Sequence, residues 1–237
     1  MPSAEKLSAL RPAGGHRTLA ERAFATLHEA IVTGVLAPGE RLPIEELAEI
    51  LEMSPMPIRE ALRLLDSVGL VENIPHRGAR VTQLSITDLS EVYEARLALE
   101  VLAIRRAAER FTSADAATAT ARLAALHASS DDTSAATSSA HAAFHFALYA
   151  PADSAWLLRL IRPIWETAER YCLEVPECRQ LAGRKHEHQA ILDACTTHKP
   201  DAAAITLRDH LARTANNISA AMGGELLFEL ASSAGGG

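Results

Sequence analysis

The stretch from Arg41 to Thr82, RLPIEELAEILEMSPMPIREALRLLDSVGLVENIPHRGARVT, restricts the fold most, because its apolar period switches from helical to extended within one short run. Leu47, Ala48 and Leu51 recur at helical spacing and predict a short helix. Ser54 is placed to cap a second helix beginning near Pro55, whose first turn tolerates Pro55 and Pro57 because the earliest helical N–H groups lack intrahelical partners. Ile58, Ala61, Leu62, Leu65 and Val68 form one stripe on that helix, which leaves Met56, Arg59, Glu60 and Arg63 toward its start and opposite face. Gly69 ends the helix, Leu70 to Ile74 reads as a strand, and Pro75-His76-Arg77-Gly78 is a turn returning through Ala79-Arg80-Val81. The pattern predicts a helix-turn-helix followed by a wing.

Cationic side chains near the start of a second helix suit insertion into a major groove, where arginine can bond guanine bidentately, and Arg59 and Arg63 occupy those positions. Basic residues at a hairpin tip, Arg77 and Arg80 with His76 beside them, suit phosphates or an adjacent minor groove. On pattern alone the same arginines also fit an ordinary solvated surface. The residues carry a resemblance as well: PGERLPIEELAEILEMSPMPIREALRLLDSVGLVENIPHRGARV is similar to the N-terminal winged helix of GntR-type bacterial transcription regulators. It repeats their S-x-x-P-[VI]-R-E-A-L-R-x-L, G-L-V and R-G-A-x-V elements. The resemblance implies a double-stranded DNA operator as partner. It puts Ser54 and Arg59 on operator contacts, Arg63 one turn further along, and Arg77 with Gly78 at the wing tip, with Arg41 supporting a phosphate contact. Pro55 and Met56 stand where the family pattern has Arg or Ser and then Thr, a departure that bears on which bases are read.

At 237 residues and 48% hydrophobic content the chain is long enough for two modest domains with packed cores. A net charge of −7 argues against a nonspecific nucleic-acid coat while leaving room for a local basic patch. Operator affinity is then expected to rest on a few arginines and to depend on salt. No apolar run approaches the ~20 residues of a membrane span, and the first residues lack a signal-peptide layout, so no membrane association and a cytoplasmic location are expected. Cys172, Cys178 and Cys195 are irregularly spaced and are expected to be free thiols.

In chain order, residues 1–17 read as a flexible leader and 18–83 as the reading head, opened by a helix from Leu19 to Thr33 that Gly34 terminates. Residues 84–223 read as an all-helical domain, and 224–237 as a tail. Within the helical domain Thr87-Asp88 is placed as a cap for a helix to Arg110, whose apolar set includes Leu89, Val92, Leu97, Leu99, Leu102 and Ile104. Further helices are predicted over Ala114–Ala128, Thr137–Tyr149, Trp156–Leu173 with Pro163 inside, Gln180–Thr197 and Asp201–Met222. The expected fold is mainly α: an N-terminal winged helix-turn-helix followed by an all-α antiparallel bundle, whose interhelical space is where bundles hold ligands.

Of ten histidines, His141 and His145 lie at i and i+4 and share a helix face, while His188 and His210 fall on the last two helices. Neutral imidazoles so spaced can grip a transition metal, zinc, nickel, copper or iron. Spacing alone leaves open that each is an ordinary core or surface histidine. Arg96 and Glu100, also at i and i+4, match a simple surface pair worth ~0.3–0.5 kcal/mol.

A second resemblance bears on both sets. Thr137 to His210 resembles the FCD ligand-binding domain of the FadR-like branch of GntR regulators, through Ala143-Phe144-His145-Phe146-Ala147-Leu148, His188-Gln189-Ala190-Ile191-Leu192-Asp193-Ala194 and Leu207-Arg208-Asp209-His210-Leu211. Metal-containing members join three His ligands to an Asp four residues before the first. Here the resemblance assigns His145, His188 and His210, with His141 standing where the Asp would be, and implies a divalent transition metal, zinc or nickel. It turns Arg96, with Glu100 beside it, toward the cavity as the effector-binding pair for a small carboxylate metabolite. The implied function is a homodimeric transcription regulator whose operator affinity responds to that effector. The alternative is a metal-dependent enzyme using the histidine cluster to activate water, against which stand the winged head and the lack of a recognisable carboxylate base.

Overall fold

The computed structural model describes residues 18–75, 77–129, 135–175 and 185–231. The predicted leader, His76, Cys178 and the last six residues lie outside the described residues. The chain forms two compact units that divide between Leu84 and Ser85.

The first unit opens with α1 (Leu19–Val32), held at its start by a capping box: Thr18 Oγ1 accepts from the Glu21 N–H and Glu21 Oε2 accepts from the Thr18 N–H, both at 3.1 Å. Its face of Ala23, Leu27, Ala30 and Ile31 is buried. A two-residue strand β1 (Arg41–Leu42) precedes α2 (Ile44–Ile50) and α3 (Pro55–Ser67), and β2 (Val71–Ile74) and β3 (Gly78–Val81) form the wing. Leu27, Leu47, Ile58, Leu65 and Val81, all fully buried, tie the helices and the wing into one core.

Three details differ from the sequence reading. Strand β1, too short to show alternation, adds to the hairpin in the order β1-β3-β2, with Arg41 opposite Arg80 and Leu42 opposite Ala79. Ser54 stands at the N-cap of α3, but its side chain accepts no capping bond. Val68 leaves the buried stripe, because α3 ends at Ser67 and Gly69 then turns the chain with φ +77, a conformation that spares glycine the Cβ clash.

The second unit is helical: α4 (Ile86–Arg110), α5 (Ser113–Ser129), α6 (Ala135–Tyr149), α7 (Ala155–Glu174), α8 (Lys185–Thr196) and α9 (Pro200–Ala221), with a 3-10 turn over Ala150–Ala152. Ser85, rather than Thr87-Asp88, caps α4, its side chain accepting from the Asp88 N–H at 3.1 Å. Helix α4 is the axis, packed by α6, α7, α8 and α9. Its buried face carries Leu89, Tyr93, Ala103, Ile104 and Ala107, with Arg96 and Glu100 between them, whereas Leu102 is 39% exposed.

The predicted tail is bound to the bundle as far as Ala231. Asn216 Oδ1 accepts from the N–H groups of Leu227 and Phe228 at 2.9 and 3.0 Å, its Nδ2 donates to the Phe228 carbonyl, and Asp209 Oδ1 accepts from the Ala231 N–H at 2.7 Å. Cys195 is a buried free thiol, but Cys172 is disulfide-bonded, which corrects the free-thiol expectation at that position. Among the described residues no helix is long and apolar enough to cross a membrane.

Candidate metal site and nucleic-acid interface

The exposed face of α3 is built by subtraction. Burying Ile58, Ala61, Leu62 and Leu65 turns Met56, Arg59, Glu60 and Arg63 to solvent, with Met56 67% exposed. Arg63 Nη1 lies 3.5 Å from Glu60 Oε2, an exposed pair that holds the arginine only loosely. Because Ser54 makes no capping bond, its hydroxyl remains available beside the start of α3. At the wing, Arg77 and Gly78 are exposed, and Gly78 adopts φ +80. Arg41 and Arg77 border one depression of about 430 Å³ that also includes Pro43 and Glu45, so strand β1 brings Arg41 beside the wing. Arg80 is not a tip residue: it sits opposite Glu72 within the sheet, its Nε 2.6 Å from Glu72 Oε1. His76 falls outside the described residues.

In the bundle, the four singled-out histidines come together. One ligand nitrogen from each of His141, His145, His188 and His210 lies within 4.8 Å of the others, and His145, His188 and His210 are buried. Their nitrogens divide into two kinds. The Nδ1 atoms of three rings face oxygen partners: His145 meets Tyr149 Oη at 3.1 Å, His210 meets Glu187 Oε2 at 2.8 Å, and His141 meets Glu169 Oε1 at 3.4 Å. Tyr149 donates its own proton to Glu100 Oε2 at 2.6 Å, so its oxygen can only accept from His145. Carboxylates likewise only accept, so all three contacts favour the Nδ1–H tautomer and leave the lone pair on Nε2. The Nε2 atoms of His141 and His145, and both ring nitrogens of His188, are buried without a hydrogen-bond partner among the described residues.

Unpartnered buried polar atoms each cost about 1–3 kcal/mol, and several lone pairs converging on one point repel each other. A cation relieves both. An all-nitrogen donor set with carboxylate-backed imidazoles fits a divalent transition metal and is too poor in oxygen for calcium or magnesium. The electrostatics keep the rings ready for it: burial first, then the neighbouring histidines and Arg96, hold His145 well below the ordinary imidazole value. Burial does the same to His188 and, against the opposing pull of Glu187, to His210. Metal binding requires neutral imidazole, and here the fold favours that form.

Arg96 and Glu100 are not the exposed surface pair that their spacing alone matches. They form a buried pair, with Arg96 Nε 2.6 Å from Glu100 Oε1 and a terminal guanidinium nitrogen 3.4 Å from Oε2. The guanidinium also lies 4.4 Å from the Trp165 ring centre and 4.9 Å from that of Tyr93. Burial opposes the Arg96 charge, but Glu100 overcomes it and raises its pKa. Through Glu100 the pair orients Tyr149, and through Tyr149 it orients His145. Tyr93, its phenol pushed up to about 12 chiefly by burial, completes the wall with Trp165, whose ring lies 5.2 and 4.9 Å from those of His141 and His145.

Sequence reading missed the groups that orient the ligands. Tyr149 continues the His141, His145 stripe by one more turn, so the period alone pointed to it. Arg213, whose Nε bonds Glu187 Oε1 at 3.0 Å, lies one turn after His210 on α9. Glu169 and Glu187 come from other helices than the histidines they support, and no spacing rule reveals that.

The geometry is that of a winged DNA-reading head and a bundle with an interior polar site, and comparison with known proteins gives both a lineage. A model of the bacterial regulatory proteins of the gntR family matches residues 19–81, and a model of the FCD domain matches residues 91–213. The chain belongs to the GntR family. This GntR protein is 31% identical over 211 residues to the HTH-type transcriptional regulator BphR of Paraburkholderia xenovorans LB400, covering 84% of this chain and 85% of that one. It is 28% identical over 212 residues to the HTH-type transcriptional repressor GlaR of Escherichia coli K12, covering 85% and 96% of the two chains. The structure of Escherichia coli McbR/YncC superposes with a TM-score of 0.73 at 24% identity over 88% of this chain and 99% of that one, a likeness of fold. A DNA-binding transcription regulator with an FCD effector-binding domain, and not an enzyme, is what these relationships establish.

Proposed function

We propose that the chain acts as a homodimeric, metal-assisted sensor of a small organic acid, with operator affinity set by occupancy of the bundle. The unpartnered imidazole nitrogens carry this reading, since a bound cation would use lone pairs that the fold buries together. His141, His145, His188 and His210 hold a zinc or nickel ion, and the bound metal supplies an electrophilic position for a carboxylate oxygen. None of the four ligands is itself charged, so the coordinated ion keeps a positive charge, which favours an anionic effector. Arg96 and Glu100 serve the site by fixing Tyr149 and His145, and Arg96 adds cationic potential beside the histidine cluster. At the head, Arg59, Met56 and Arg63 face base edges from α3, Ser54 contacts the backbone at the helix start, and Arg41, Arg77 and Gly78, with His76, meet phosphates around the wing. Two heads on a palindromic site require a dimer.

The test is operator binding followed by fluorescence anisotropy on DNA adjoining the protein's own gene, with zinc-loaded, nickel-loaded and chelated protein and a panel of small carboxylates. Effector and DNA are linked reciprocally, so one acid is expected to shift affinity by about 5–150-fold, the usual range of allosteric coupling, in loaded protein only. Affinity indifferent to every acid and to chelation would overturn the reading.

A further inference from the structure

Resting on the metal reading above, we infer that Glu169 is a positioning residue that takes over, one bond further out, the carboxylate this site lacks among its ligands. The four converging side chains are all imidazoles, and His141 is the one whose burial is incomplete. On α6, His141 presents Nε2 to the cluster and Nδ1 to Glu169 of α7, whose side chain is 13% exposed.

A carboxylate oxygen behind an imidazole favours the Nδ1–H tautomer, fixes the ring plane and increases the basicity of Nε2. It also offsets part of the ion's charge without taking a coordination position. Glu187 does this for His210, and Glu100 does it for His145 through Tyr149. Three ligand nitrogens are therefore aimed before a metal arrives. His188 is different, because neither of its ring nitrogens has a hydrogen-bond partner among the described residues, so it is the ligand left to adjust to the size of the ion.

The test is a cycle of variants of the full-length chain, with zinc affinity measured by chelator competition and cobalt(II) absorption reporting ligand geometry. In the native background Glu169→Gln is expected to weaken zinc about 10–100-fold, the usual effect of losing an outer-shell partner. In a His141→Asp background the ligand is itself an acceptor with no proton for Glu169. There Glu169→Gln is expected to leave zinc affinity unchanged or to raise it by removing a like charge. Equal weakening in both backgrounds overturns the inference, since it would mark Glu169 as a packing residue. No weakening in the native background overturns it as well while leaving the metal reading intact. A native chain that binds neither zinc nor cobalt overturns both.

Discussion

Two arginine–glutamate pairs, Glu60 with Arg63 on α3 and Arg96 with Glu100 on α4, have nearly the same helical spacing and opposite physical lives. In the head the Arg63 side chain is 73% exposed and its partner 50%, so water screens the pair and the guanidinium can swing to another anion. In the bundle the corresponding exposures are 5% and 0%, so the guanidinium is fixed by its carboxylate and orients a tyrosine and a histidine. Binding a long polyanion needs charges that remain mobile and wet. Binding one small ion needs charges and lone pairs that are dry and already aimed. The same two residue types serve both units because burial, and not identity, sets what an ion pair does.

The contrast is most exposed at the cluster itself. Combined His145→Ala and His188→Ala is expected to take bound metal from about one ion per chain to near none by elemental analysis, since transition-metal sites of this kind are worth about 10 kcal/mol or more. Circular dichroism should remain helical, and metal content unchanged by the substitutions would make the histidines purely structural. Next in size, Glu100→Ala leaves Arg96 buried without its counter-charge and is expected to destabilise the chain by about 3–5 kcal/mol in urea unfolding. If it costs no more than Glu60→Ala, the distinction between the two pairs fails. Arg59→Ala is expected to lower operator affinity by ~1–3 kcal/mol without altering metal content, and equal loss of both would deny the separation of tasks. Smallest of all, Glu60→Ala is expected to change stability by no more than ~0.5 kcal/mol, as exposed helical pairs do.

Much of the head was legible in its residues. The apolar period placed α3 from Pro55, Gly69 ended it, and the arginines left over faced solvent, because a helix that buries one stripe must expose the other. Strand β1 was not legible, since two residues have no period and pair only because β3 is there to receive them. Nor was the bond-making state of Ser54, which occupies the cap position without capping. What holds residues 224–231 was not legible either: Asn216 offers both an acceptor and a donor to the backbone beyond α9.

Sequence alone determined that this chain is a winged head followed by a helical bundle, because local periods and turn residues act over a few positions and survive without their neighbours. It also brought forward His141, His145, His188 and His210 as a group, though only the shared face of the first two follows from spacing. Tertiary packing decided the rest: that four rings from three helices meet, that Arg96 and Glu100 form a buried pair, and that Glu169 and Glu187 stand behind imidazoles from other helices. Those facts depend on which helix faces lie against each other, and such contacts join residues that no local pattern in the chain connects.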